Sequence, residues 1–257
     1  MTEKTSYEAG TFCWTDLGTS NTAAAKKFYG EVFGWKAVDV PAGPGVYTML
    51  QKGDKDVCAL YALTEQGVPP HWLSYIAVKS ADEATKKAES LGAKIRKAPF
   101  DVMDAGRMSV VEDPTGATFA LWEGKKHAGS RLIREAGTMC WNELMTKDVD
   151  KAGGFYSKLF GWGSKTMDVG GGEKYTMFQK GSEDAAGMMA IGKDWGPVPP
   201  NWLVYFAVDS CDASVKKATA AGAKVTVQPT DIPNTGRFAV LVDPQGATFG
   251  IFQSTRK

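Results

Sequence analysis

The chain predicts an α+β protein built as two homologous domains in tandem, and three observations lead there. The strand-like stretch "GTFCWTDL" at Gly10 returns as "GTMCWNEL" at Gly137. Four further blocks recur in the same order, with an offset that drifts only from 127 to 130 positions. Self-similarity at so long a period means two related domains rather than a solenoid of short units. Each half also writes one helical pattern for several strand patterns, so the helices cover one face of a mixed sheet.

The first half can be read element by element. "CWTDLGT" alternates in polarity and stops at a turn, as a strand does. "SNTAAAKKFYGEVFG" follows as a helix: Ser20 or Asn21 can cap it, Ala25, Phe28 and Val32 share a face, and Gly34 stands where a left-handed C-cap belongs. Strands come next near "VYTMLQ" and "CALYAL". After "TEQGVPP" the order restarts with strand "WLSYIAV", helix "ADEATKKAESLGA" and strands "AKIRKAPF", "RMSVVED" and "ATFALWE". The turn "PTG" before the last of these follows from Pro and Gly in a short polar gap.

The second half repeats this order. "KKFYGEVFGW" (26–35) returns as "GGFYSKLFGW" (153–162), "YTMLQKG" as "YTMFQKG", and "PPHWLSYIAV" as "PPNWLVYFAV". "GRMSVVEDPTGATFALW" returns as "GRFAVLVDPQGATFGIF". The domains are therefore placed at residues 9–124 and 136–253, joined by a polar linker at 125–135. The Gly-rich loops "PAGPGVY" and "VGGGEKY" lack a phosphate-loop pattern and are expected to be mobile flaps over each sheet.

Composition excludes several function classes. Hydrophobic residues make up 43% and charged residues 23% of the chain, ordinary globular values. With a formal net charge of +1 and scattered Lys and Arg, no basic stripe awaits nucleic acid. No apolar run reaches the roughly 20 residues a bilayer requires, and "MTEKTSYEAG" lacks the apolar centre of a secretory signal. The four cysteines, Cys13, Cys58, Cys140 and Cys211, show no CxxC spacing and suit reduced thiols. The chain is therefore expected to be cytoplasmic, without nucleic-acid or membrane partners. It is expected to act as a monomer, with a homodimer as the alternative.

This order of elements, with "FYGEVFGW" after the first strand and "GR…DPTGATFALW" at the end of each half, resembles the vicinal oxygen chelate superfamily of glyoxalases, bleomycin-resistance proteins and extradiol dioxygenases. The tandem form, with its "CWNEL" strand and "FGW" helix ends, is similar to actinobacterial hydroxylase and culture-filtrate antigen proteins. The resemblance implies βαβββ modules, two per domain, each pair curling into a cup-shaped half-barrel. It also implies a divalent metal held by strand residues inside the cup. The family's ligand positions fall here at Trp14, Leu73 and Ala120, and at Trp141, Leu203 and Gly250. None of these side chains holds a metal. Independently, the chain contains only two histidines, His71 and His127, and His127 lies in the linker, too few for a two-His-one-carboxylate site in each domain. The expectation is no cofactor, with a divalent metal on the shifted ligands Asp16, His71 and Glu143 as the alternative.

Strand alternation decides what each cup contains instead. If Trp14 faces inward, so does Asp16, while Cys13, Thr15 and Leu17 face the helices. His71, Leu73, Tyr75 and Trp122 complete the first cup; Trp141, Glu143, Leu203, Tyr205 and Phe252 form the second, with Asn201 in place of His71. Aromatic walls with a few polar groups suit a small apolar or aromatic ligand. Asp16 and Glu143 are also the candidate catalytic bases of an enzyme that replaced the metal by acid–base groups, with Tyr75 or Tyr205 as electrophilic partner. Such an enzyme would be a lyase or oxidoreductase of the glyoxalase or dioxygenase type. In a structural role, Asp16 and Glu143 would pair with a Lys or Arg at the strand end, and Arg107 and Arg237 are expected to pair with Asp113 and Asp243.

Overall fold

The computed structural model describes residues 3–43, 45–170 and 172–255. The first domain runs β1 (Phe12–Thr19), α1 (Thr22–Phe33), β2 (Lys36–Ala42), β3 (Gly45–Lys52) and β4 (Lys55–Ala62). It continues with β5 (His71–Ala77), α2 (Ala81–Ser90), β6 (Lys94–Val102), β7 (Gly106–Glu112) and β8 (Thr118–Gly124). The second repeats it as β9 (Met139–Thr146), α3 (Val149–Phe160), β10 (Gly163–Gly170), β11 (Glu173–Lys180) and β12 (Glu183–Ala190). Then come β13 (Asn201–Ala207), α4 (Cys211–Ala220), β14 (Lys224–Ile232), β15 (Gly236–Val242) and β16 (Thr248–Ser254). These are four βαβββ modules, in an α+β fold.

Each domain forms one eight-stranded sheet, in the orders β2-β3-β4-β1-β5-β8-β7-β6 and β10-β11-β12-β9-β13-β16-β15-β14. The first strand of every module lies parallel to that module's last strand, as β1 does to β4 and β5 to β8. The modules meet where β1 runs antiparallel to β5, and β9 to β13. Helix ends follow the expected chemistry. The side chain of Asn21 accepts from Ala24 N–H, and Gly34 closes α1 at φ 73°, a left-handed conformation that glycine adopts without a Cβ clash. Pro44 and Gly171, at the tips of the hairpins expected to act as flaps, lie outside the described residues.

The helix-side faces of the two sheets share one core. Tyr29 of α1 and Tyr156 of α3 are fully buried and reach across it. Tyr29 donates to Asp243 Oδ2 at 2.9 Å, and Tyr156 donates to Asp113 Oδ2 at 2.8 Å. Trp72 Nε1 and Trp202 Nε1 each donate to the tyrosine of their own domain, at 3.0 and 2.8 Å. The other oxygen of each aspartate accepts backbone N–H groups of its own Asp-Pro turn. This corrects the expected pairing of Arg107 and Arg237 with those aspartates. Arg107 instead bridges Asp82 and Asp101, and Arg237 bridges Asp212 and Asp231, at the surface. A buried carboxylate satisfied by a tyrosine hydroxyl and the backbone N–H groups of its own turn has no need of a guanidinium. With the helix sides joined in this core, the cup faces of the two sheets point away from each other.

Candidate functional site

A bulge sets which side chains enter each cup. Between Phe12 and Trp14 the β1–β5 register shifts by one residue, so Phe12 and Leu17 both reach the helix-side core while Trp14 and Asp16 face the cup. Cys13, expected on the helix side, packs instead with the cup residues, its Sγ directed at the Tyr75 carbonyl. β9 and β13 carry the same shift, between Tyr205 and Phe206, and Cys140 sits at the matching place.

At the centre of the first cup is Asp16, 1% exposed. Its Oδ2 accepts from Tyr75 Oη at 2.7 Å and from Tyr47 Oη at 2.8 Å, and Tyr47 Oη in turn accepts from Trp14 Nε1 at 3.0 Å. Oδ1 is buried and unpartnered among the described residues. Burial raises the carboxyl from 3.8 to about 6, although the two tyrosine bonds and nearby His71 pull the other way. The second cup repeats the chain. Trp141 Nε1 donates to Tyr175 Oη at 2.9 Å and Tyr205 donates to Glu143 Oε1 at 3.0 Å, while the nearby Tyr175 hydroxyl favours the ionised carboxylate. Burial raises Glu143 as well. Neither carboxylate has a Lys or Arg partner among the described residues, so the ion pair weighed as their structural role is not formed.

The remaining candidates fall into place around these chains. Leu73 lies opposite Asp16 and Leu203 opposite Glu143 in the strand register, both buried. Tyr75 lies opposite Trp14 and Tyr205 opposite Trp141. Trp122 and Phe252 stand at the ends of the last strands, with Trp122 buried and Phe252 half-buried. His71 is half-buried at the start of β5, its Nδ1 bonded to the Pro69 carbonyl, and Asn201 bonds Pro199 in the same way.

Three partners escaped the sequence reading. Tyr47 and Tyr175 lie on β3 and β11, strands whose register against β1 and β9 no local pattern reports; their recurrence in "YTM" was the available signal. The third is His127, which the linker carries into the first cup. Its ring meets Trp14 edge-on at 4.5 Å between centroids and Trp122 at 6.1 Å, and Trp122 Nε1 donates to its carbonyl at 2.9 Å.

A divalent metal does not suit these residues. The six positions that the resemblance assigns to metal ligands carry Trp, Leu, Ala and Gly, and the single carboxylate of each cup accepts from tyrosine. Among the described residues no three His, Cys, Asp or Glu side chains are grouped to hold an ion. Asp16 and His71 share a domain, but Glu143 lies on the other sheet. An open depression of about 640 Å³ lies elsewhere, at the domain junction beside Tyr7, Glu8, Val78, Lys79, Glu123 and Lys180. It contains none of the cup residues, and its walls are charged.

The family profile described as "Glyoxalase/Bleomycin resistance protein/Dioxygenase superfamily" matches residues 11–121 and 136–251. The chain belongs to that superfamily. It is 42% identical to "Putative glyoxylase CFP32" of Mycobacterium tuberculosis (strain CDC 1551 / Oshkosh), with 98% of each chain covered. It is 34% identical to "Anthracycline biosynthesis protein DauV" of Streptomyces sp. (strain C5), covering 97% of this chain and 95% of that one. Among solved structures, the Mn(II)-bound glyoxalase from Novosphingobium aromaticivorans aligns at TM-score 0.67 and 17% identity, over 95% of this chain and 82% of that one. The 2,3-dioxygenase LapB from Pseudomonas sp. KL28 aligns at 0.67 and 13%, over 96% and 94%. At such identities the structural likeness speaks for the fold alone.

Proposed function

We propose that this protein is a metal-independent binder of small aromatic molecules, received on the cup faces of its sheets. The observation that carries the reading is the set of one Trp, two Tyr and one carboxylate repeated in each cup and joined by hydrogen bonds within apolar walls. Apolar surfaces with few, fixed polar groups orient small molecules. The relative named for anthracycline biosynthesis supports the aromatic class, since anthracyclines are fused-ring compounds. The protein acts on this reading as a cytoplasmic monomer without nucleic-acid or membrane partners. Its four cysteines are free and, among the described residues, no helix is long and apolar enough to cross a membrane. Native mass spectrometry and thermal shift against a broad set of aromatic natural products test the binding. Finding no ligand across that set would end the reading.

A second reading is favoured by one observation: a buried carboxyl with raised proton affinity, bonded to two tyrosine hydroxyls, is an acid–base arrangement. Asp16 or Glu143 would then take a proton while Tyr75 or Tyr205 polarises the substrate. Once a turnover is found, Asp16→Asn and Glu143→Gln variants that turn over as fast as the parent would remove it.

A further inference from the structure

The internal repeat lets one cup serve as a template for the other. In the first domain, β1 and β4 begin to pair only at Asp16 and Ala59, and the linker fills the gap before that point. Ser130 N donates to the Cys13 carbonyl at 2.7 Å, Ser130 Oγ to the Val57 carbonyl at 2.8 Å, and Arg131 N to the Asp56 carbonyl at 2.7 Å. This seat holds the His127 ring against Trp14 and Trp122. Trp14 and Trp122 are consequently 3% and 6% exposed.

The second cup has the same walls without the strap. Outside the strand ladders, no described residue bonds the carbonyls of Cys140 or Ala185, which match Cys13 and Val57. Trp141 and Phe252 are only partly buried, and Trp141 has no ring partner among the described residues. The floor differs too. Opposite Glu143 stands Gly187 where the first cup has Ala59, and opposite Tyr205 stands Gly250 where it has Ala120. A Cβ on Gly187 would lie 1.8 Å from Tyr175 Oη, and one on Gly250 would lie 2.2 Å from the Tyr205 ring. The tyrosines therefore sink into the space two methyl groups would take, while Met145 stands in this cup where the first has Gly18.

We infer that the second cup is the ligand site, that the first is plugged by the chain's own linker, and that His127 marks where a ligand's ring sits. The ligand is a flat aromatic molecule standing between Trp141 and Phe252, with an oxygen on its edge toward Glu143 and its tyrosines. This rests on the binding reading above and narrows it to one site per chain.

Equilibrium dialysis of the full chain with 2-naphthol, and with naphthalene as the hydroxyl-free control, tests the assignment. One equivalent of 2-naphthol should bind, at least about tenfold tighter than naphthalene. Trp141→Ala should weaken it by at least about tenfold, and Gly187→Ala likewise. The second variant gives this cup the residue its twin already carries, so it keeps the measurement valid if the first folds poorly. Arg107→Ala, whose bridges to Asp82 and Asp101 lie at the surface, should leave the affinity within about twofold. His127→Gly should admit a second equivalent by unplugging the first cup. Two equivalents in the parent, binding that survives both second-cup variants, or no second equivalent in His127→Gly would overturn the inference and leave the binding reading standing. No binding up to about 1 mM 2-naphthol would overturn the inference, and the binding reading would then rest on the broader aromatic set.

Discussion

Asp16→Asn isolates a pH-dependent term that the structure assigns to one carboxyl. Burial raises its affinity for a proton from 3.8 to about 6. The folded state thus binds that proton more tightly than the unfolded chain does. The stabilisation is complete below about 3.8 and is lost as pH rises through about 6. At 1.36 kcal/mol per pH unit the whole effect is about 3 kcal/mol. Most of it falls between pH 4 and pH 7. Asparagine cannot ionise, yet its carbonyl oxygen can still accept from Tyr47 and Tyr75, which donate to Asp16 at 2.8 and 2.7 Å. Urea unfolding of parent and variant at half-unit steps from pH 4 to pH 8 should show the variant gaining about 2–3 kcal/mol relative to the parent across that window. Any offset that does not change with pH reports lost packing or an unpaired amide hydrogen, and is separate. A difference that stays flat within about 0.5 kcal/mol from pH 4 to pH 8 would refute a dry, proton-retaining Asp16.

Three further outcomes follow from the same geometry. Tyr29→Phe removes the donor to Asp243 and strands the Trp72 N–H, so it should cost about 2–3 kcal/mol in urea unfolding. Because this bond joins the two domains, a double-mutant cycle with Asp243→Asn should show coupling above about 1 kcal/mol. Arg107→Ala and Arg237→Ala break only surface bridges and should each cost less than about 1 kcal/mol, with the loss shrinking in high salt. Cys13, Cys58 and Cys211 are buried, and burial pushes the half-buried Cys140 thiol up to about 12. An aromatic disulfide reagent at neutral pH should therefore label the folded protein slowly and all four thiols rapidly in denaturant.

Local patterns carried the modules. Asn21 before an apolar helix face and Gly34 after it place α1 by capping chemistry alone, and the repeat then transfers every such element to the second half. The inward set of Trp14, Asp16, Leu73 and Tyr75 was legible because alternation is a property of a single strand. Cys13 was misplaced because a bulge exists only between strands, in the pairing of β1 with β5. Asp113 and Asp243 were given arginine partners because those were nearest in sequence, whereas their tyrosines come from the opposite domain, 43 and 214 residues away.

By itself, then, the sequence determined the α+β class, the duplication and the four strand–helix–strands units. Those properties reside in residue identity and short-range period. The tertiary structure decided that Tyr47 closes the chain at Asp16, that the helix sides fuse into one core, and that a linker histidine packs against the tryptophans of one cup. Each of these depends on contacts between strands and segments distant in the chain, which burial and register select and no local pattern encodes.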